Sequence, residues 1–185
     1  MYKKCRTEQS SQRQRQIEQG LLQMMRVKRY EDISISDLCE KLQIPRKTFY
    51  RYFSGKDGAL YALLDHTMLD FYTEGLETSD SGTAIGDLEK FFLFWYEKKD
   101  LLGALRRSGL SGILVERATV LAQQEHLMPG RVRGWPVSQQ ELGLMFALSG
   151  LMAMVLQWHD RGYTVSPQEM IRIATDVLTK PLIEL

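Results

Sequence analysis

Cysteine and proline are both scarce in this sequence of 185 residues, which has two of the first and five of the second. Cys5 and Cys39 do not make a disulfide framework, and His and Cys show no metal-site spacing. No Asn-Gly or Asp-Gly turn stands between alternating strands, and no Gly-rich phosphate loop follows a strand. We therefore expect no disulfide-rich fold, no metal and no cofactor.

A targeting or membrane segment is also missing from the pattern. The first 16 residues have no apolar core, so they do not resemble a secretory signal. The longest uncharged stretch, Leu142–His159, has 18 residues and only reaches the lower limit of a membrane span. It lacks flanking basic residues and an aromatic belt, so a helix buried on both sides is the better interpretation. We expect a cytoplasmic protein without membrane contact.

Net charge is only +1, but the charges are distributed unevenly. Residues 1–58 carry 13 Lys and Arg against 7 Asp and Glu, whereas residues 59–185 carry 11 against 16. A basic head on an acidic body is typical of proteins whose head meets DNA. Chance segregation is the alternative, because the excess is modest.

Apolar residues recur at helical spacing along the whole chain, so the predicted fold class is all-α. In the first helix, for example, Ile17, Leu21, Met24 and Met25 share one face. The predicted helices cover about 11–28, 34–42, 45–53, 56–77, 100–107, 110–127, 138–160 and 167–179, and an aromatic stripe is predicted at Leu88, Phe91, Phe92 and Trp95. A polar linker is predicted at 78–84 and a Pro- and Gly-rich loop at 128–136.

Two short helices with a tight turn between them predict a helix-turn-helix at 34–53. Ser34 and Asp37 have the spacing of a capping box, which starts the first of these helices. The turn follows at Gln43-Ile44, and Pro45 suits the first position of the second helix. This second helix, PRKTFYRYF, is the predicted recognition helix.

The recognition helix divides into two faces. Phe49 and Phe53, four residues apart, must point inward, so the polar residues face out. Cations there suit phosphates, and those at the N-terminal end suit guanine edges in the major groove. Lys56 would add a phosphate contact. Alternatively, the cations form a solvated face and Tyr52 covers the junction with the next helix.

Residues 17–60 resemble the DNA-binding domain of TetR/AcrR regulators, through YEDISISDLCEKL, IPRKTFYRYFSGKDGAL and the spacing of Tyr50, Phe53 and Lys56. The resemblance implies a helical dimer that binds a palindromic operator in double-stranded DNA. It departs at Lys47, where many members have Gly. The DNA-contacting residues that it implies are Ser34, Ser36, Arg46, Lys47, Thr48, Tyr50, Arg51, Tyr52 and Lys56.

The resulting layout is a flexible tail at 1–10, a DNA-binding domain at 11–71 and a C-terminal helical bundle at 72–185 for effector binding and dimerisation. Aromatic residues too numerous for one seam predict a pocket for a small apolar effector; an ordinary bundle core is the alternative. Candidate pocket residues are Tyr72, Phe91, Phe92, Trp95, Arg117 and His126.

The last two predicted helices are expected to pair with those of a second copy as a four-helix bundle, because small residues there permit close approach. The expected interface residues are Leu142, Met145, Phe146, Ser149, Gly150, Ala153, Met170, Ala174 and Val177.

The predicted function is a DNA-binding repressor that a small effector releases. The alternative is a co-regulator of the same fold that acts through a protein partner without an effector. An enzyme is not expected, because no catalytic constellation has usable spacing.

Overall fold

The computed structural model describes residues 1–76, 84–124 and 136–180, so the predicted linker and loop fall almost wholly outside the described residues. Within these ranges the chain is helical, without a strand, as the sequence predicts. The helices are α1 (Glu8–Met25), α2 (Ile35–Lys41), α3 (Arg46–Tyr52), α4 (Lys56–Asp70), α5 (Ala84–Glu97), α6 (Lys99–Arg107), α7 (Ser111–Gln124), α8 (Val137–Asp160) and α9 (Pro167–Thr179), with a 3₁₀ turn at Tyr30–Asp32 and a π-helical segment at Phe71–Leu76.

The described residues form two compact units. Unit 1 contains Met1–Thr67 and Gly103–Arg117, and unit 2 contains Met68–Leu102 and Ala118–Leu185 where these are described. Residues 103–117 thus lie with the N-terminal unit, unlike the predicted division at 71/72. Hydrogen bonds hold this segment to the N-terminal residues. Arg107 donates to the Met25 and Arg26 carbonyls at 3.0 Å, and the Tyr30 N–H donates to Ser108 Oγ at 3.0 Å.

Unit 1 is built around the apolar face of α1. Ile17, Leu21 and Met25 are fully buried, as their spacing predicts. Gly20 lies so close to Leu42 that a Cβ on it would come within 2.8 Å of that side chain. This close approach lets the end of α2 pack directly on α1.

The turn between α2 and α3 contains a residue, Gln43, in the left-handed backbone conformation. The Ile44 N–H donates to the Cys39 carbonyl and the Gln43 N–H to the Glu40 carbonyl, both at 3.0 Å. This pair of bonds is the Schellman arrangement, which needs positive φ at the residue after the helix cap. Gln43 supplies it with φ of 53°, a conformation that favours glycine. The turn is therefore locally strained.

Replacing Gln43 with glycine is expected to raise the free energy of unfolding by roughly 0.5–1 kcal/mol, because relief of the left-handed strain outweighs the added chain entropy. Urea denaturation measures the change. Gln23→Gly, an exposed change in the right-handed helix α1, is the control and is expected to destabilise. Equal effects of the two changes would contradict this account of the turn.

The predicted flexible tail is instead an ordered arm, defined here as Met1–Thr7. Tyr2 forms an antiparallel bridge with Phe53. The Lys3 N–H donates to the Tyr52 carbonyl at 3.0 Å, and the Ser54 N–H donates to the Met1 carbonyl at 3.1 Å. Thr7 then caps α1 in a capping box with Ser10, so α1 starts earlier than predicted. The prediction of a flexible tail was wrong, because the residues that hold the arm, Tyr52, Phe53 and Ser54, lie about fifty residues further along the chain.

In unit 2, α5 packs against α9 and the π-helical segment. Phe92 and Trp158 are buried with their ring centroids 6.2 Å apart, which joins α5 to α8. The Trp158 indole N–H donates to the Val165 carbonyl at 2.8 Å and fixes the turn before α9. The core of this unit therefore combines aromatic side chains with aliphatic ones such as Leu121 and Val155.

Candidate nucleic-acid interface

The recognition helix α3 is held by aromatic packing on its inner side. Phe49 is fully buried and Phe53 is 1% exposed, with their ring centroids 5.2 Å apart. Pro45 precedes the helix as its N-cap rather than serving as the first helical residue that the sequence predicted. With Phe49 and Phe53 inside, the other side of α3 is left to face outward.

The outer face of α3 carries Arg46, Lys47, Tyr50 and Arg51, all exposed. Arg46 donates to Ser36 Oγ at 3.2 Å and to the Tyr50 hydroxyl at 3.3 Å. These two bonds join the start of α2 to α3 and hold the guanidinium at the N-terminal end of the recognition helix. Thr48 is half-buried beside this face.

The start of α2 confirms the predicted capping box. The Asp37 N–H donates to Ser34 Oγ at 3.0 Å, and the Ser34 N–H donates to the Asp37 carboxylate at 3.2 Å. The bond from the Ser34 backbone, followed by that from its hydroxyl, holds the pKa of Asp37 below its ordinary value. Ser34 and Ser36 are both exposed, beside the cationic face of α3.

Lys56 makes structural contacts within the chain. Its ammonium donates to the carbonyls of Tyr30 and Ile33, each at 2.6 Å, and lies 4.3 Å from the Tyr30 ring centroid. A longer bond of 3.4 Å reaches the Glu31 carbonyl, so all three ammonium protons have acceptors. Lys56 therefore binds the chain that leads into α2, and its contact with phosphate stays a prediction.

Lys56→Met is expected to lower the free energy of unfolding by roughly 1–3 kcal/mol, because it leaves carbonyls without their charged donor. The salt dependence of DNA binding is expected to stay unchanged. Lys47→Met, at an exposed position, is the matched control and is expected to weaken DNA binding without loss of stability. Urea denaturation and binding titrations measure both quantities; a lower slope for Lys56→Met would support the predicted phosphate contact.

Tyr52 is a further residue of the predicted interface. Its side chain is 7% exposed and packs beside Phe53, with ring centroids 6.3 Å apart. Its backbone carbonyl holds the arm through Lys3. Tyr52 is therefore buried, and its contact with DNA stays a prediction.

Four of the six candidate effector residues are described in unit 2. Phe91, Phe92 and Trp95 are buried in unit 2, where Phe71 packs edge-on to Phe91 at 5.8 Å. Burial raises the pKa of the half-buried Tyr72 to about 12. The Trp95 indole N–H is buried and has no acceptor among the described residues. His126 lies outside the described residues.

Arg117, a predicted effector anchor, forms an ion pair in unit 1. Its Nε donates to Asp65 Oδ1 at 2.7 Å and its Nη2 to Oδ2 at 2.5 Å. Tyr2 donates its hydroxyl to the same carboxylate at 2.8 Å. The bond to Asp65 raises the pKa of Arg117. Sequence patterns gave no signal for this cluster, because its members come from the arm, α4 and α7.

The predicted dimer residues of α8 form one exposed stripe. Leu142 and Phe146 are each 68% exposed and Met145 is 45% exposed. Ser149, Gly150 and Ala153 continue the stripe and are exposed. On α9, by contrast, Met170 and Ala174 are buried within this chain, so their predicted place at the interface is wrong; Val177 is half-buried. The apolar side of α9 packs on α5 instead.

Helix α8 is also long and apolar enough to cross a membrane by length and composition, with mean hydropathy 1.4 over its most apolar 18-residue window within Gln139–Asp160. Its other side is buried in unit 2 through Leu144, Met152, Val155 and Trp158. Only 22% of the apolar window is buried within the chain. The helix thus has a packed side and an uncovered side.

Solved structures with this fold are transcription regulators. The fatty acid degradation regulator FadR from Bacillus halodurans has a TM-score of 0.67 at 17% identity, covering 97% of this chain and 98% of its own. The dihydroxyacetone kinase operon activator DhaS has a TM-score of 0.58 at 16% identity, covering 90% and 93%.

The TetR family repressor AlkX from Dietzia sp. strain DQ12-45-1b has a TM-score of 0.55 at 18% identity, covering 89% and 90%. No protein-family model matches the sequence. Curated proteins gave no significant match either. The likeness therefore lies in the backbone: this chain has the fold of the TetR-type regulators.

Proposed function

We propose that this chain is a DNA-binding transcription regulator of the TetR type that acts as a homodimer. The observation that carries the proposal is the outer face of α3, where Arg46, Lys47 and Arg51 are exposed together. They stand on a helix that Phe49 and Phe53 anchor from behind. A rigid helix with clustered cations fits the major groove and its phosphates.

The residues of this face divide between two tasks. Arg46 and Lys47, at the N-terminal end of α3, are proposed to reach base edges, where a guanidinium or ammonium matches the acceptors of guanine. Tyr50, with Ser34 and Ser36, is proposed to bind phosphates through hydroxyl groups, which sets the position of the helix. Thr48 and Arg51 complete the proposed contact surface.

The exposed stripe of α8 is proposed to pair with the same stripe of a second copy. Its members recur every three or four residues, as in helices that pack side by side, and Gly150 and Ala153 allow close approach. Recognition of DNA by a twofold pair requires the two α3 helices to lie about 34–36 Å apart, one DNA turn.

Phe146→Glu is expected to convert the proposed dimer to a monomer, because a twofold interface would bury two facing carboxylates. Light scattering after gel filtration measures the mass. Leu93→Glu, at an exposed apolar position of α5 that is 40% exposed, is the control and is expected to leave the dimer intact. A monomeric parent protein, or a variant that stays dimeric, would contradict the stripe as the interface.

We further propose that unit 2 takes a small apolar effector that releases the protein from DNA, so that the chain acts as a cytoplasmic repressor. The support is the buried Trp95 N–H, which has no described acceptor and lies among aromatic rings. The solved structures with this fold include an activator as well as a repressor, so the fold occurs in both kinds of regulator. The alternative is a co-regulator that acts through a protein partner, and the exposed cations of α3 favour DNA.

Binding to the DNA that flanks the protein's own gene, measured at several salt concentrations, tests the DNA-binding proposal. The expected result is a symmetric footprint and a steep fall of log affinity with log salt. Absence of binding to this DNA at low salt would contradict the proposal and favour the co-regulator. An effector that acts as proposed would weaken binding when added to the complex.

A further inference from the structure

Hydrogen bonds fix the arm at both of its ends. Its first residues bond to the backbone at the end of α3 and just beyond it. Thr7 ends it as the N-cap of α1. Along the way, the Cys5 thiol donates to Gln14 Oε1 at 2.9 Å, and Gln14 Nε2 donates to the Lys3 carbonyl at 3.2 Å. Gln14 is itself buried, at 1% exposed. The arm therefore has a defined position beside the recognition helix.

Two further contacts fix the start of the arm against α4. The Tyr2 hydroxyl donates to Asp65, which is 2% exposed and paired with Arg117. At Gly58 the arm touches the helix backbone, and a Cβ there would lie 2.5 Å from the Met1 carbonyl oxygen. A side chain at position 58 would therefore push the arm away, which gives a way to displace it without changing its charge.

The arm, α1 and α3 enclose a groove of about 1000 Å³. Five cations line it: Lys3, Lys4 and Arg6 from the arm, Arg13 from α1 and Arg51 from α3. All five are exposed, and among the described residues that line the groove none is acidic. Such a one-signed groove attracts a polyanion and holds it by several phosphates at once.

The groove is continuous with the recognition helix, because Thr48, Arg51 and Tyr52 of α3 line it too. A polyanion that meets the outer face of α3 therefore reaches the arm without leaving the protein surface. This continuity favours one occupant, double-stranded DNA, over a separate anionic molecule.

We propose that the arm is a second DNA-contacting element, whose Lys3, Lys4 and Arg6 bind the phosphate backbone beside the site that α3 contacts. The proposal rests on the proposed DNA-binding function. Backbone contacts add affinity and salt dependence but carry no direct sequence information. The arm thus strengthens binding to every sequence, and α3 chooses among them. Because the arm is pinned through Tyr2 to Asp65 and Arg117, its position depends on α4 and α7.

The test compares an arm variant, a control variant and Gly58→Ala on specific and scrambled duplexes at several salt concentrations. Lys3→Gln, Lys4→Gln and Arg6→Gln together remove the arm charges; Arg161→Gln, Arg172→Gln and Lys180→Gln together remove three exposed cations of unit 2. The arm variant is expected to lose about 0.9 of salt slope per phosphate, nearly three in all, and roughly hundredfold in affinity at 0.1 M salt on both duplexes. The control is expected to keep both values.

Gly58→Ala keeps every arm charge but displaces the arm, so it separates position from charge. It is expected to weaken binding on both duplexes and to lower the slope, with unchanged helix content because alanine suits a helix. An arm variant whose slope equals that of the control would overturn the proposal while DNA binding by α3 stands. A parent protein that binds neither duplex at low salt would instead overturn the proposed function.

Discussion

Arg117→Met is expected to lower the free energy of unfolding by about 3–5 kcal/mol, because it strands the carboxylate of Asp65 in the protein interior. Asp65 is 2% exposed, and Arg117 meets it with two bonds of 2.7 and 2.5 Å. The remaining Tyr2 hydroxyl is a neutral donor and cannot replace the cation. Urea denaturation measures the loss, which must appear without any ligand present.

A double variant provides the control for this ion pair. Asp65→Asn in the Arg117→Met background removes the stranded charge, so it is expected to recover a large part of the lost stability. A loss below about 1 kcal/mol for Arg117→Met would be typical of a surface pair and would contradict the structural role. It would also favour Arg117 as a candidate for ligand binding.

Replacing Arg46, Lys47 and Arg51 together with alanine is expected to weaken operator binding by more than about a thousandfold, since each base or phosphate contact contributes roughly 1–3 kcal/mol. The fold is expected to persist, because all three side chains are exposed while Phe49 and Phe53 remain buried. Binding titrations give the affinity, and circular dichroism gives the helix content and the melting temperature.

The unit 2 variant of Arg161, Arg172 and Lys180 is the matched control for charge, and it is expected to bind the operator as the parent protein does. Retention of operator binding by the α3 variant would contradict recognition through this helix. Loss of binding together with loss of helix content would show that these side chains hold the fold, which is also contrary to the account.

The local parts of the fold could be predicted from the sequence. The capping box of Ser34 and Asp37 and the inward pair Phe49 and Phe53 involve residues three or four positions apart. Helical geometry alone brings such residues together. The same holds for the stripe on α8, whose exposed members recur at helical spacing.

The contacts that the sequence did not predict join residues that are far apart in the chain. Lys56 bonds to carbonyls 23 and 26 residues away, and Arg117 bonds to Asp65 across 52 residues. A sequence pattern that contains a cation does not show whether its partner is a phosphate, a carbonyl or a carboxylate. Met170 and Ala174 were misplaced for a related reason, since an apolar side of a helix does not indicate which neighbour covers it.

The arm shows the same limit at the start of the chain. Its composition is polar and basic, which is typical of a solvated tail. Its order comes from backbone bonds to Tyr52 and Ser54 and from one tyrosine hydroxyl on Asp65. Backbone pairing of this kind leaves almost no mark in the side-chain pattern. Only the fold brings the cations of the arm beside those of α3.

Selection of bound duplexes from a random DNA pool, followed by sequencing, shows whether α3 recognises a DNA sequence. The expected result is an inverted repeat whose half-sites lie about 10–10.5 base pairs apart, as two α3 helices on a twofold dimer require. The Arg46, Lys47 and Arg51 variant is expected to enrich no motif. Failure of the parent protein to enrich any motif, or the same motif from the α3 variant, would contradict sequence recognition by this helix.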